Sequence, residues 1–250
     1  MSTQFRHYAK ELLNIALPII MGNLGFILIG AGDVLIAGHH STDTLAAISI
    51  ATAITNCIQT FGIGLISSVS PLLSNFRGEK KSAKKYFYPT IRFAMLLAII
   101  VMFAVLAFIP VIDYLKFDPK LVPMIKQYMF VTAFATFGAY LHAALKEFLQ
   151  AFEVVMFPNL VTAISVFLNI AVNVLLVFGW GIIPSLGALG LAIASFVVRY
   201  FMGFALLIYC FKTMNFNNYK DREYYKNLIK IGIPISCAIL VEFIAFNSIA

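Results

Sequence analysis

Long apolar runs follow one another along almost the whole chain, and they decide what it can fold into. A helix of about 20 apolar residues crosses a hydrocarbon core of about 30 Å. The 250 residues are 61% apolar and only 12% charged, with a mean hydropathy of +0.92. This composition lies outside the range of soluble globular domains. The pattern therefore predicts an all-α integral membrane protein.

The apolar runs predict seven helical spans separated by turn and charge clusters. The spans lie near 12–38, 45–75, 87–112, 123–147, 158–180, 187–211 and 228–250. The first run is too long for a cleavable secretory signal, lacks a small-residue cleavage site and contains an acid. We expect an N-terminal six-helix lobe over 1–211, a cytoplasmic linker over 212–227, and the start of a further helix over 228–250.

The end of the chain resembles its beginning. Residues 228–236 match residues 12–20 in their apolar pattern and in the position of a proline, with six spans between the two prolines. The first copy continues to Asp33 and the second to Glu242, each an acid inside an otherwise apolar helix. Such a repeat is typical of a secondary transporter built from two parallel halves. We therefore expect half of a twelve-span, two-lobe protein that ends part-way through its seventh span and requires a C-terminal lobe.

The basic residues predict the orientation. A cytoplasmic N-terminus places thirteen of the eighteen Lys and Arg residues on one side. These are Arg6, Lys10, Arg77, Lys80, Lys81, Lys84, Lys85, Lys146, Lys212, Lys220, Arg222, Lys226 and Lys230. The positive-inside rule then predicts a multi-pass protein of the cell (inner or plasma) membrane with its N-terminus in the cytoplasm. The net charge of +7 is thereby explained without a nucleic-acid partner.

The cysteines indicate no chemistry. Cys57, Cys210 and Cys237 lie in or beside apolar spans without paired spacing, as small packing residues do. We expect no metal centre, no resident cofactor and no enzymatic activity.

Two acids stand out from the other nine, which fall in the N-terminal tail, in loops or at span edges. A charge at the bilayer centre costs roughly 2.5–3.5 kcal/mol, so Asp33 and Glu242 should face a cavity or a partner. Each is a candidate proton site or a hard-oxygen ligand for a cation. The alternatives are an acid just below the outer surface for Asp33, and a misplaced span boundary for Glu242.

Other polar features share these helices. Asn169 and Asn173 are one turn apart, so their amides lie on one helix face and could satisfy a carboxyl group, coordinate a cation, or simply bond a neighbouring helix. Pro18 removes one backbone hydrogen bond from the first span and is either a hinge or a static bend. Arg199 lies mid-span and receives no role.

A series of short motifs resembles the multidrug and toxic compound extrusion (MATE) transporters, in their order and across essentially all 250 residues. The motifs are Pro18, Asp33 with Ala37-Gly38, Leu45-Ala46-Ala47, residues 70–74 before Gly78, residues 148–151 with Pro158, residues 169–173, residues 186–195 and residues 234–242. The resemblance implies two six-span lobes around a central cavity. It also implies export of bulky, often cationic organic compounds in exchange for Na⁺ or H⁺.

The resemblance also implies roles for particular residues. Asp33 matches the first-span acid that the family uses for coupling, and Glu242 matches the seventh-span acid of the NorM-like branch. Asn173 stands where the DinF-like branch carries Asp, which favours the NorM-like branch and Na⁺ somewhat over H⁺. The coupling ion stays open.

The substrate cavity is expected to be lined by aromatic and Met side chains that attract organic cations. Membrane lipid is the other expected partner of the protein. Phe26, Phe61, Phe137 and Tyr140 are the candidates, although in a membrane protein with 24 Phe any single one of them more often contacts lipid or the core.

Three other functions fit the sequence less well than antiport. A flippase for lipid-linked saccharides needs a basic cavity, and only Arg92 and Arg199 fall within spans. A prenyltransferase-type enzyme needs paired acids with Asp-x-x-Asp-like spacing to hold Mg²⁺, and none occurs. A symmetric channel does not suit a repeat whose acids are not equivalent.

Overall fold

The computed structural model describes residues 3–181, 184–214, 216, 219 and 221–249, and this part of the chain contains eight α-helices. They are α1 (Thr3–His40), α2 (Thr42–Ile66), α3 (Val69–Gly78), α4 (Phe87–Phe108), α5 (Val122–Ala151), α6 (Met156–Phe178), α7 (Ala188–Thr213) and α8 (Arg222–Ile249). Two 3₁₀ helices, Ala83–Tyr86 and Ile109–Tyr114, flank α4. Residues 215, 217, 218 and 220 of the predicted linker, including the basic Lys220, lie outside the described residues.

Seven helical stretches in the described residues are long and apolar enough to cross a membrane, which confirms the predicted all-α fold and its number of spans. The second stretch combines α2 with α3, and the third combines α4 with its two 3₁₀ helices. We call the end of the bundle where α1 begins the proximal end. The end where α1 meets α2 is the distal end.

The sequence predicted one continuous helix over residues 45–75. The structure shows two helices in this span instead. The span breaks at Ser67 and Ser68, between α2 and α3. Pro71 explains the break, because it has no N–H to donate to the Ser67 carbonyl and its ring would clash with that carbonyl in a continued helix. Pro110 acts in the same way at the end of α4, where the chain turns into a 3₁₀ helix at Ile109.

The last helix begins earlier than the predicted position 228. Asp221 precedes α8, and its Oδ1 accepts hydrogen bonds from the backbone N–H groups of Glu223 at 2.9 Å and Tyr224 at 3.3 Å. A side-chain oxygen in this position satisfies amides that have no partner at a helix start. The helix therefore starts at Arg222.

The centre of the bundle is α5, which has the largest buried share of the seven spans. It packs against α7, α4 and α2, while α1 packs mainly on α6 and α8 packs mainly on α2. Helices in lipid gain no hydrophobic force from each other and associate through close packing and hydrogen bonds. The close contacts between helix backbones are therefore important for holding this bundle together.

Gly138 allows α5 and α7 to touch backbone to backbone. A Cβ atom at this position would lie 2.7 Å from the Tyr200 nitrogen and 2.8 Å from the Arg199 carbonyl carbon. Gly64 does the same for α2, where the backbone and side chain of Ser236 from α8 occupy the space of a Cβ atom. Ser236 Oγ also donates to the Phe61 carbonyl at 2.8 Å.

We predict that Gly138→Ala destabilises the intact protein by about 1–3 kcal/mol, because the added methyl forces α5 and α7 apart. Thermal unfolding in detergent measures the change. Gly30→Ala is the matched control: it also lies inside a helix, but its Cβ would meet no atom within 4 Å. Equal melting temperatures for the two variants would contradict the proposed backbone contact.

An aromatic clamp, defined as Tyr86, Thr90, Tyr219, Asp221 and Tyr224, holds the start of α8 against α4 at the proximal end. The rings of Tyr86 and Tyr224 stack with centroids 4.5 Å apart, and Tyr219 meets Tyr86 edge-on at 5.7 Å. Tyr86 OH donates to Asp221 Oδ2 at 3.1 Å, and the hydroxyls of Thr90 and Tyr224 are 2.7 Å apart. The clamp fixes the direction in which the chain leaves the first six spans.

Tyr86→Leu should destabilise the protein by about 2–4 kcal/mol, since it removes both the ring stack and the hydrogen bond to a carboxylate. The same unfolding measurement reads the loss. Tyr114→Leu serves as the control because Tyr114 is 82% exposed, and its effect should stay within about 0.5 kcal/mol.

Candidate functional site

Asp33 lies on α1 about two turns before the helix ends, and its carboxylate is turned into the bundle. Oδ1 accepts a hydrogen bond from Asn173 Nδ2 at 2.6 Å, and Oδ2 accepts a longer one from Ser195 Oγ at 3.4 Å. Asn173 belongs to α6 and Ser195 to α7. Three helices therefore meet at this one carboxylate.

Asn169 and Asn173 form one face of the site, as their spacing predicted. Both side chains are fully buried, and Asn173 Nδ2 also donates to Asn169 Oδ1 at 3.0 Å. Two polar atoms of the pair, Asn173 Oδ1 and Asn169 Nδ2, are buried without a hydrogen-bond partner. A buried polar atom left in this way costs free energy until something binds it.

The oxygens around Asp33 are those that a hard cation binds. The set comprises the carboxylate, two amide oxygens and one hydroxyl, with a single negative charge. The described residues contain no group of three or more His, Cys, Asp or Glu side chains that could hold a metal ion. One carboxylate among neutral oxygens fits a monovalent cation or a proton better than a divalent metal.

Ser195 was not identified as a site residue from the sequence. It lies near the start of α7, inside the small-residue motif 186–195, where serine reads as a packing residue. Only the position of α7 against α1 shows that the hydroxyl reaches Asp33. The 186–195 motif drew attention to this segment, but it did not show which helix the Ser195 hydroxyl faces.

A second polar cluster on the interior side contains Gln59, Thr136, Tyr140 and Arg199. Gln59 is only 4% exposed, and its Nε2 donates to Thr136 Oγ1 at 2.9 Å. Arg199 Nη1 donates to Gln59 Oε1 at 3.3 Å. Tyr140 OH donates to the Gln59 backbone carbonyl at 2.8 Å. Arg199, which had no role in the sequence analysis, is thus held by a buried amide.

Glu242 is not part of this arrangement. Its side chain is exposed, and it lies on α8, which packs on α2. The hydrogen bonds of Asp33 run to α6 and α7. The described residues therefore do not bring the two predicted coupling acids together.

The four predicted cavity aromatics fall in different environments. Tyr140 is fully buried and packs against Gly62, so it is a contact between α5 and α2 and does not line an open surface. Phe61 is 42% exposed and Phe137 is half-buried. Phe26 is 40% exposed, and the Lys146 ammonium lies 5.2 Å from its ring centroid.

Pro18, the predicted hinge, lies inside α1, and the helix runs through it without a break. It stands fifteen residues before Asp33, which is about 22 Å along the helix. The two residues therefore lie towards opposite ends of the membrane-spanning part of α1.

Comparison with known proteins gives one family. The family model described as MatE matches residues 18–175. The multidrug resistance protein NorM of Photobacterium profundum is 25% identical over 258 residues, which cover 98% of this chain and 56% of that protein. NorM of Vibrio cholerae serotype O1 is 24% identical, with 99% and 56% covered. The chain spans little more than half the length of these relatives.

Solved structures show the same fold. The eukaryotic MATE transporter AtDTX14 superposes with a TM-score of 0.85 at 21% identity, covering 98% of this chain and 56% of that one. An outward-facing multidrug resistance MATE family transporter of the MOP superfamily gives a TM-score of 0.80 at 17% identity, with 94% and 53% covered. These relatives are named as resistance proteins and transporters, not as enzymes, in agreement with the expectation that the chain is not an enzyme.

We predict that Asp33 and Asn173 are energetically coupled by about 1–2 kcal/mol, more than the roughly 0.6 kcal/mol average for hydrogen bonds in membrane proteins, because one partner is a carboxylate. A double-mutant cycle with Asp33→Asn and Asn173→Ala, read by thermal unfolding of the intact protein, measures it. The longer Asp33–Ser195 contact, tested with Ser195→Ala, should couple more weakly. If the Asp33–Ser195 coupling energy exceeds the Asp33–Asn173 coupling energy, the carboxylate lies nearer α7 and the prediction is wrong.

Proposed function

Because the chain belongs to the MatE family, we propose that it forms the first six-helix lobe, with the first helix of the second, of a cation-coupled antiporter. The antiporter exports bulky, often cationic organic compounds in exchange for Na⁺ or H⁺. The observation that carries this proposal is Asp33, a membrane-embedded carboxylate that accepts hydrogen bonds, among the described residues, from neutral groups of two other helices. The drug-resistance names of the relatives support the substrate class.

The coupling site consists of Asp33, Asn169 and Asn173, with Ser195 as an added ligand. Loading the carboxylate with Na⁺ or a proton changes which groups the two amides and the hydroxyl can bond. A buried acceptor, Asn173 Oδ1, is available beside the carboxylate for an incoming cation. Loading therefore changes how α1, α6 and α7 are tied together.

Alternating access follows if the two loaded states prefer different orientations of the lobes. A ligand shifts a conformational equilibrium only by its differential affinity for the two states. The cation must therefore bind one orientation better, and the organic substrate must bind the other. In this proposal Glu242, which is exposed on α8, supplies a second carboxylate, and a C-terminal lobe completes the central cavity.

The orientation proposed for the protein places the proximal end in the cytoplasm of the cell (inner or plasma) membrane. The described basic residues of the segments 77–85 and 212–230 lie at this end, together with the start of α1. Asp33 then lies nearer the outer surface. A lipid-linked saccharide flippase finds less support, since the relatives are named for drug resistance.

We predict that Asp33→Asn lowers cation-driven export roughly ten-fold or more, a size typical of lost coupling between two ligands. Export is measured with the full-length protein in proteoliposomes, under an imposed Na⁺ gradient and, separately, an imposed pH gradient. Glu242→Gln should lower it as well. Asp43→Asn is the control, because Asp43 is an exposed acid at the start of α2.

The coupling assignment fails if Asp33→Asn and Glu242→Gln both export at the wild-type rate under both gradients. Loss of export in Asp43→Asn alone would instead point to a surface effect of charge.

A further inference from the structure

Arg199 is a charged side chain inside the bundle that the transport proposal leaves unused. It lies one turn after Ser195 on α7, and its side chain is half-buried. Within the described residues it forms no ion pair, and its guanidinium donates to the neutral Gln59 amide oxygen at 3.3 Å. An ionisable group within a membrane span normally has a partner or a function.

Asp33 is a candidate for the opposite charge. Ser195 donates to the Asp33 carboxylate, and one turn of helix, about 5.4 Å, separates Ser195 from Arg199 along α7. Ser195 thus places the two charged residues on neighbouring turns of the contact between α1 and α7. Opposite charges at such a separation attract each other through the protein interior, where the effective dielectric constant is lower than in water.

Gln59 holds the guanidinium of Arg199. Its amide is fixed at both ends, because Nε2 donates to Thr136 and Oε1 accepts from Arg199. The side chain is almost fully buried, so it has little freedom to release the guanidinium. The positive charge is thus fixed within reach of the Asp33 field while the carboxylate stays open to other ligands.

The sum of charges decides the effect on loading. With Asp33 ionised and unloaded, the carboxylate and the guanidinium cancel. With Na⁺ or a proton on Asp33, one positive charge is left, because arginine does not lose its proton in proteins. The field of Arg199 therefore favours the unloaded state.

We propose that Arg199 is a positioning residue that sets the cation affinity of Asp33, acting as a fixed internal counter-charge held by Gln59. This inference rests on the proposed role of Asp33 as the coupling carboxylate. It adds that this protein weakens its own cation site so that the ion is released once the lobes reorient.

The experiment compares Arg199→Gln with the wild type in the full-length protein in proteoliposomes. The readout is the cation concentration that gives half-maximal drug export, with Na⁺ titrated at fixed pH and protons titrated without Na⁺. Arg199→Gln should lower that concentration about ten-fold, the size expected for unit charges roughly 10 Å apart at an effective dielectric constant of about 20. Arg199→Lys keeps the charge and should stay within about three-fold of the wild type.

Two further variants separate the causes. Arg199→Met is a second neutral variant and should show the same shift, which covers the case in which Arg199→Gln does not fold. In an Asp33→Asn background, Arg199→Gln should leave any residual cation dependence unchanged.

The possible results are distinguishable. If Asp33→Asn abolishes cation dependence but neither neutral variant shifts the half-maximal concentration, the inference is wrong and the proposed function stands. A shift that persists in the Asp33→Asn background also overturns it, because Arg199 then acts elsewhere. If the wild type shows no cation dependence in either titration, the proposed function itself fails.

Discussion

A carboxylate inside a membrane bundle must find hydrogen-bond donors, and the arrangement of α1, α6 and α7 follows from that requirement. The short bond from Asn173 to Asp33 joins α1 to α6, and the longer one from Ser195 joins α1 to α7. Water is absent from the hydrocarbon core, so the cost of breaking these bonds is higher than at a protein surface. Many apolar residues of α1 face outward, so its packing against α6 and these polar contacts together define its position.

Close backbone packing makes the polar contacts possible. Gly138 brings α7 against α5, and this approach places Arg199 within reach of Gln59. The aromatic clamp fixes the start of α8 at the proximal end of the bundle, whereas Asp33 lies towards the distal end of α1. The bundle therefore has a rigid centre around α5, whereas α1 at the edge is tied mainly through α6.

Much of this architecture could be predicted from sequence because it depends on local composition. Hydropathy runs gave the seven spans, and spacing alone placed Asn169 and Asn173 on one face. The break at Ser67 could also have been inferred, since Pro71 is four residues away. Contacts between helices that are distant in the chain could not be predicted from the sequence. Nothing near Ser195 or Arg199 in the chain shows that Ser195 meets Asp33 or that Arg199 meets Gln59. The sequence also left the environment of Tyr140 open between cavity and core, because Gly62 on another helix sets it.

The choice of neutral partners for Asp33 has a consequence for exchange. A direct arginine–carboxylate pair is bidentate, strong and slow to give way to a small ion. Asparagine and serine can instead present an oxygen to a cation or a hydrogen to a bare carboxylate after a rotation of the side chain. In the proposed antiporter, the same residues can therefore bond the carboxylate when it is bare and offer oxygens to a cation when it is loaded. A transporter needs two such states of similar free energy, because a site that is satisfied in only one of them does not cycle.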